Sequence, residues 1–452
     1  MSKVTLEDIV SLAKRRGFIF PGSEIYGGLS GTWDYGPLGV ALKNNVKDLW
    51  WDFFVKKRHN AYGLDSSILM NQKVWQASGH VDTFTDPLIE DVVSKKRYRL
   101  DHLLEDKNIQ AEGLSLEEME KLIRDNKIKS PDGNELGKAE VFNLMFETNA
   151  GPVASDDSKV YLRPETAQGM FVNFKNILDT FYPDLPFSIA QIGRNFRNEI
   201  SPRDFIFRAR EFEIMEYELF IDPTTWEEEF EKQRKLMREF FIDVVGLDES
   251  KLHEKEISEA DRAHYSKRTI DFEYEFPIGV KEIAGLAYRT DYDLTKHQEK
   301  SGKNLEYPVK GESRKFVPHV IEPSFGLDRI VLAAMSTAYK KDEVNNEQRV
   351  YLDLNSKLAP YKAMVSPLLK NKEELVKKAQ EIFNNLTREV GEIAWDDNGN
   401  IGKRYRKQDE IGTPICITVD FDSLEDDSVT VRDRNTTEQK RVKISELKNL
   451  FH

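Results

Sequence analysis

Two stretches of the chain carry residues whose types and spacing could activate a nucleotide. The first is Pro186–Glu199 (PFSIAQIGRNFRNE), followed after a short loop by Phe207–Glu218 (FRAREFEIMEYE). Both arms read as strands, which the loop Ile200–Ile206 joins into an antiparallel pair. The two-residue repeat of a strand puts Arg197 and Glu199 on one face, and Phe212, Ile214, Glu216 and Glu218 together on a face of the second arm. A carboxylate such as Glu216 beside apolar neighbours is costly unless it meets a cation or hydrogen-bond donors. A ligand ammonium would satisfy it; so would a cross-strand ion pair with Arg197 or Arg210. The second stretch is Val320–Ala334 (VIEPSFGLDRIVLAA). It reads as a strand through Pro323, a turn at Gly326, and a helix burying Leu327, Ile330, Val331, Ala334 and Met335. Arg329 then falls in the first helical turn, where the helix dipole opposes a cation. A nucleotide phosphate would account for it, as would a neighbouring acid.

Two arginines from separate elements and several inward carboxylates suit a nucleotide-activating site. Arg197 would clamp a phosphate, Glu282 would hold Mg²⁺, and the other acids would hold a cationic substrate group. No GxxxxGK[ST] loop occurs, so P-loop chemistry is excluded. There is no Ser/His/Asp signature, and the 8 histidines have neither HxxH nor HExxH spacing, so no zinc is expected. The one cysteine, Cys416, rules out a disulfide framework and suits a reducing cytoplasm. A formal net charge of −13 excludes a globally basic nucleic-acid coat protein but not an RNA substrate, which needs only a local basic face. Neither a secretory h-region nor an apolar run of about 18 residues is present, so neither export nor a membrane span is expected.

The elements that must position these residues divide the 452-residue chain into two or three parts. A short helix holds Leu6, Ile9, Val10 and Ala13. Tyr26–Gly39 packs aromatics between glycines, which suits a tight, partly buried loop with close backbone approach. After Pro37 an amphipathic helix carries Leu42, Val46, Leu49, Trp50 and Phe53 on one stripe. Residues 104–140 turn charged and helix-forming, with a capping box at Ser115 and Glu118, and read as an insertion. A second insertion is expected over 222–270, its helix carrying Trp226, Phe230, Met237, Phe240, Phe241 and Val244 and stopping at Gly246. From about 355, strands at Ala363–Val365, Ile415–Val419 and Val429–Arg432 alternate with helices at Leu375–Val390 and Ile444–Phe451, a small α/β domain. Residues 361–452 hold 16 Lys and Arg against 17 Asp and Glu, so nearly all the net acidity lies elsewhere.

Phe196-Arg-Asn-Glu199 with Arg210-Glu-Phe-Glu213 resembles motif 2 of class II aminoacyl-tRNA synthetases, and Gly326-Leu-Asp-Arg329 resembles their motif 3. Ser23–Gly28, Asp34–Gly39, Ser78-Gly-His80, Leu162–Gly169, Arg289–Leu294 and Glu322–Gly326 are similar to the homodimeric glycyl-tRNA synthetases, and the likeness runs from about residue 6 to 451. The resemblance implies an α+β fold. It comprises a catalytic domain over 1–354, an antiparallel sheet flanked by helices with helical insertions, and an α/β anticodon-binding domain over 355–452. It implies a cytoplasmic homodimer that uses ATP and Mg²⁺ to make glycyl-adenylate and then esterifies the 3′ end of tRNA(Gly). Arg197, Arg329 and Glu282 would be the catalytic set, with Glu282 near the metal. ATP would meet Arg197, Asn198, Glu199, Phe207, Arg208, Ala209, Arg210, Glu211, Phe212, Glu282, Ile283, Gly326, Leu327, Asp328 and Arg329. Glycine would meet Arg99, Glu165, Phe212, Glu213, Ile214, Met215, Glu216, Glu322, Pro323, Ser324, Phe325 and Gly326. Glu322 and Ser324 stand where most class II enzymes have glycines, so the pocket has little room for a side chain. In the C-terminal domain, Lys403, Arg404, Arg406 and Lys407 would meet tRNA phosphates and Tyr405 would stack on a base; the alternative is a solvated helix face.

The family's motif 1 usually presents a proline where this chain has Asn71-Gln72, which bears on dimer-interface detail rather than on chemistry. Two other functions remain on the sequence alone. One is a non-catalytic nucleic-acid-binding accessory protein on the same scaffold, against which Arg197, Glu199, Glu282 and Arg329 speak. The other is a synthetase for another small amino acid, against which Glu322-Pro-Ser324 speaks.

Overall fold

A strand whose two faces are both covered is buried at successive residues rather than alternate ones, and Glu211–Ile221 is buried in this way from Ile214 onward, Glu216 and Glu218 included. It is an interior strand of the main sheet in the computed structural model, which describes residues 4–111, 114–153, 155–344 and 346–451. The strands of that sheet are β1 (Ala61–Gly63), β2 (Phe187–Phe196), β3 (Glu211–Ile221), β4 (Leu252–Glu256), β5 (Arg268–Phe276), β6 (Gly279–Thr290) and β7 (His319–Gly326). Their order is β4-β5-β6-β7-β3-β2-β1, and every neighbouring pair is antiparallel except β1 with β2.

The pleat of β3 sorts its side chains. Met215, Tyr217, Leu219 and Ile221 enter one core, and Phe220 enters the core on the opposite face. Helix α1 (Pro37–Trp51) packs Leu42, Val46 and Trp50 into the first core. Helix α2 (Ala167–Phe181) packs Met170, Phe171 and Phe174 into the second. Helices α3 (Trp226–Glu239) and α5 (Leu327–Ala338) lie on α1's side, and α4 (Tyr292–Ser301) lies on α2's side. Phe220 sits 4.7 Å from the ring of Phe174 and 5.0 Å from that of Phe187. Each such fully buried ring contributes roughly 1.5–3 kcal/mol.

Three expectations change. Residues 222–270 are not an insertion: β4 and most of α3 build the main sheet and its core, with Phe230, Met237, Phe240 and Phe241 fully buried there. The module expected over 104–140 is wider. Thr85–Asp91 pairs with Arg97–Arg99 and Leu136–Asn143, and with helices Leu100–Glu105 and Leu116–Asp125 it encloses its own core of Ile89, Leu103, Ile123 and Ala139. The Ser115–Glu118 capping box is formed. Finally, the loop Tyr26–Gly39 is exposed at its start, at Tyr26 and Leu29, and is tight from Gly31 onward, where a Cβ would lie 2.5 Å from that of Pro202. A Cβ at Gly39 would lie 1.9 Å from the Phe18 carbonyl oxygen, and one at Gly36 would lie 2.4 Å from that of Gly17.

The hairpin Tyr339–Val344 with Glu347–Leu352 leads to the C-terminal part. There β8 (Ala363–Pro367), β9 (Ile393–Trp395), β10 (Ile415–Val419), β11 (Ser428–Asp433) and β12 (Gln439–Lys443) take the order β9-β8-β10-β11-β12. The first three strands are parallel, the rest antiparallel. Helix α6 (Glu373–Val390) covers one face with Leu375, Ala379, Ile382 and Leu386. On the other face Cys416 is packed with Met364 and Ala394, beside helix α7 (Ile401–Ile411) and Tyr405. Burial raises the Cys416 thiol far above its ordinary range. The segment expected as a last helix, Ile444–Phe451, is 3₁₀. Asp409 of α7, fully buried, accepts two bonds from Arg432 (2.8 and 3.0 Å) and one from Arg349 of the hairpin (3.3 Å).

Candidate active site

The open end of β3, β6 and β7 forms the floor of a cavity of about 630 Å³, walled by the start of α5, by the loop after β2 and by the Thr85–Asn143 module. At one end stand three arginines. Arg329 points back from the first turn of α5, 3.0 Å from the Glu282 carboxylate and over the Phe207 ring at 4.6 Å. Its charge holds Glu282 ionised below the usual carboxylate range, with Arg197 and Arg208 adding to the effect. Arg329 thus meets the neighbouring acid that the sequence offers as one account of it, and it also lines the cavity. Arg197 lies just past the end of β2, its Nε donating to the Pro164 carbonyl and its guanidinium 5.1 Å from the Phe212 ring. Glu199 lines the same end, and its Oε2 is buried without a hydrogen-bond partner among the described residues.

At the other end the sheet supplies carboxylates. Antiparallel register sets Glu216 opposite Ser324, and both line the cavity with Glu322 and Glu165. Glu216 makes no ion pair with Arg197 or Arg210; it accepts a 2.5 Å hydrogen bond from Thr166. Glu322 accepts from Arg289 at 2.7 Å, and Arg289, 1% exposed, gives its remaining edge to Asp293 at 2.8 and 2.9 Å. Burial works to protonate Glu165, but His80, 3.2 Å away, and Arg289 hold it ionised below the usual range. Arg99 leans in from the module, paired to Asp86 at 2.6 Å and Asp101 at 2.5 Å. Burial pushes Asp86 up to about 6 even with Arg99 beside it.

The cavity gathers most of the residues the sequence singled out: Arg99, Glu165, Arg197, Glu199, Phe207, Arg208, Ala209, Phe212, Glu213, Ile214, Glu216, Glu282, Ile283, Glu322, Ser324, Gly326, Asp328 and Arg329. Others serve elsewhere. Met215, Phe325 and Leu327 are fully buried in the main core, and Pro323 is buried beneath the floor. Asp328 is taken up by Tyr35, Lys43 and the backbone N–H of Glu213, and Glu213 by Lys43 and Lys47. Arg210 donates to the carbonyls of Glu199 and Ser30, Glu211 pairs with Arg194 on the opposite side, and Asn198 is pinned through its N–H to the Leu144 carbonyl. In α7 the expected cationic run is corrected at two positions. Arg404 is buried and spends its guanidinium on Ser366 and the carbonyls of Pro367, Asp397 and Gly399. The Tyr405 hydroxyl bonds Thr418 at 2.7 Å and its ring faces Arg432. Lys403 and Lys407 remain exposed, and Arg406 is half-buried beside Glu347. Thr166, Arg289 and Asp293 fall in the motifs Leu162–Gly169 and Arg289–Leu294 but receive no role from the sequence, and Tyr265 falls in none; the guanidinium of Arg289 lies 3.8 Å from the Tyr265 ring. Motif likeness is the signal for the first three, and nothing in the sequence marks Tyr265.

Residues 146–338 match the family "tRNA synthetase class II core domain (G, H, P, S and T)", and residues 362–452 match "Anticodon binding domain". The chain is 47% identical over 455 residues to a glycine–tRNA ligase of Bacillus anthracis, covering 99% of this chain and 98% of the relative. It is 48% identical to those of Staphylococcus haemolyticus (strain JCSC1435), over 99% and 98% of the two chains, and Geobacillus thermodenitrificans (strain NG80-2), over 98% and 96%. With its floor of motif residues, its basic and acidic ends and this end-to-end likeness, the chain belongs to the glycine–tRNA ligase family of class II aminoacyl-tRNA synthetases.

Proposed function

We propose that this chain charges tRNA(Gly) with glycine in two steps, and the observation that carries the reading is the polarity of its one continuous cavity. Arg197, Arg208 and Arg329 stand at one end, suited to a triphosphate, and Glu165, Glu216 and Glu322 stand at the other, suited to an ammonium. Glycine seated on those carboxylates turns its own carboxylate toward the arginines. One of its oxygens attacks the α-phosphorus of ATP, the bond to the bridging oxygen breaks, and pyrophosphate leaves with that electron pair. Arg197 balances charge gathering on the α-phosphate, and Arg329 holds the far phosphates. The unpartnered Glu199 oxygen suits the adenine amino group as donor. The oxygen donors of Glu282, with the Asp271 carboxyl beside it, fit Mg²⁺, which supplies further charge neutralisation on the phosphates when bound. In the second step a terminal ribose hydroxyl of tRNA attacks the adenylate carbonyl and AMP leaves. The region from about 355 onward would hold the anticodon arm, with Lys403 and Lys407 as its exposed cations near α7. The reading includes a homodimer working in the cytoplasm.

The test is ATP–pyrophosphate exchange by the purified protein with glycine, alanine, serine and threonine in turn. Exchange with glycine alone is expected. Exchange with alanine or serine at a comparable rate would overturn the substrate assignment, and exchange with none would favour the accessory-protein alternative.

A further inference from the structure

Behind the glycine seat lies a fourth carboxylate that the reaction as written does not use. Glu218 is two residues along β3 from Glu216, on the same face. The register that sets Glu216 opposite Ser324 and Leu219 opposite Ile321 places Glu218 across from Glu322. Carboxylate oxygens of Glu216, Glu218 and Glu322 all lie within 4.8 Å of one another. Glu218 is fully buried, does not line the cavity, and has no hydrogen-bond partner on either oxygen among the described residues. Arg289 reaches the cluster, but its bonds go to Glu322 and Asp293. Three carboxylates this close cannot all stay ionised against one shared guanidinium.

Resting on the glycine reading above, we propose that Glu218 is a positioning residue of the amino-acid pocket, a neutral carboxylic acid whose O–H is donated to the Glu216–Glu322 pair and holds both carboxylates aimed at the substrate ammonium. The charged groups around it are Glu216 on its own strand, Glu322 on β7, Arg289 at the end of β6 and Asp293 of α4. Burial, and then the charges of Glu322 and Glu216, favour its protonated form; burial lifts Glu322 as well, but there Arg289 donates at 2.7 Å and opposes the shift, a bond that Glu218 lacks.

The test compares Glu218→Gln, which keeps a neutral donor, with Glu218→Leu, which fills the space without one, in glycine-dependent ATP–pyrophosphate exchange. Glu218→Gln is expected to keep KM for glycine within about threefold of the parent. Glu218→Leu is expected to raise it by at least about tenfold with KM for ATP unchanged, the loss of one hydrogen bond to a charged group. A Glu218→Leu variant that matches the parent removes the role. A Glu218→Gln variant as impaired as Glu218→Leu shows that the charge, not the proton, is needed. Infrared spectroscopy of the unsubstituted protein gives a second readout that needs no Leu variant: a protonated-carboxyl carbonyl band near neutral pH that is missing in Glu218→Gln. An unaltered spectrum would overturn the proposal. A parent protein inactive with glycine would instead defeat the functional reading on which the proposal rests.

Discussion

At the scale of single residues, the cavity works by opposing charges that the protein has already paired loosely. Arg197 is held by one carbonyl and two ring faces rather than by a carboxylate, so its charge is available to a phosphate. Arg197→Ala should lower glycine-dependent exchange by about 10²–10³-fold, as the loss of one donor aimed at a developing charge does, with its thermal midpoint unchanged. A midpoint that falls with activity would reassign Arg197 to structure. His102, in the module wall, makes a different prediction. Burial, then Arg99, with Arg203 and Arg208 adding to it, pushes its imidazole down to about 4. Between its ordinary value and about 4 the unfolded chain therefore takes up a proton that the folded chain refuses. Stability should fall as pH drops through that window, and His102→Gln should lessen the fall in thermal unfolding between pH 7 and pH 5. The pocket's first row was legible from sequence because Arg197, Glu216, Glu322, Ser324 and Arg329 sit in motifs at strand and helix spacing. Arg289 and Asp293 stood in a recognisable motif too, but their role was not legible, because it depends on β6 ending where α4 begins.

At the scale of elements, the start of α1 shows how sequence punctuation becomes packing. Gly36 caps the helix, Pro37 opens it, and Gly39 lets the Phe18 carbonyl approach closer than any side chain would allow. Because the opposing atom is backbone, nothing can swing aside. Gly39→Ala should cost about 1–3 kcal/mol in urea unfolding, the usual range for overpacking; a loss under about 0.5 kcal/mol would mean the loop yields. Helices with a clear apolar stripe, α1, α5 and α6, were legible, as was the β7–turn–α5 unit. The short strand β4, Leu-His-Glu-Lys-Glu, was not: four of its five residues are polar, and on an edge strand one face meets water. The same holds for Thr85–Asp91, which pairs across more than forty residues with Leu136–Asn143, a contact no local pattern announces.

At the scale of the whole molecule, the catalytic sheet and the C-terminal sheet are tied by charge as well as by chain. Asp409 of α7 meets Arg349 of the connecting hairpin and Arg432 of β11 in a dry cluster, and Arg434 reaches back to Asp353 at 2.7 Å. Removing the shared acid strips the buried Arg432 of its carboxylate, while Arg349 keeps its pair with Asp342, a loss of about 3–5 kcal/mol. Asp409→Ala should therefore loosen the C-terminal part first. Glycine-dependent exchange without tRNA should persist, while esterification of tRNA falls and proteolysis near the connection accelerates. Equal loss of both activities would show that the two sheets fold as one unit. The cation run of α7 looked like a binding face in sequence because composition does not reveal that Arg404 is consumed by its own loop's carbonyls.

The lone cysteine turns the C-terminal sheet into its own reporter. Cys416 lies inside that sheet, sealed and deprived of its thiolate. A thiol-labelling reagent will therefore leave the folded enzyme untouched and will modify it only when the C-terminal strands part. The labelling rate then measures how often that sheet opens, with no engineered probe, and a bound tRNA that clasps the region should slow the clock.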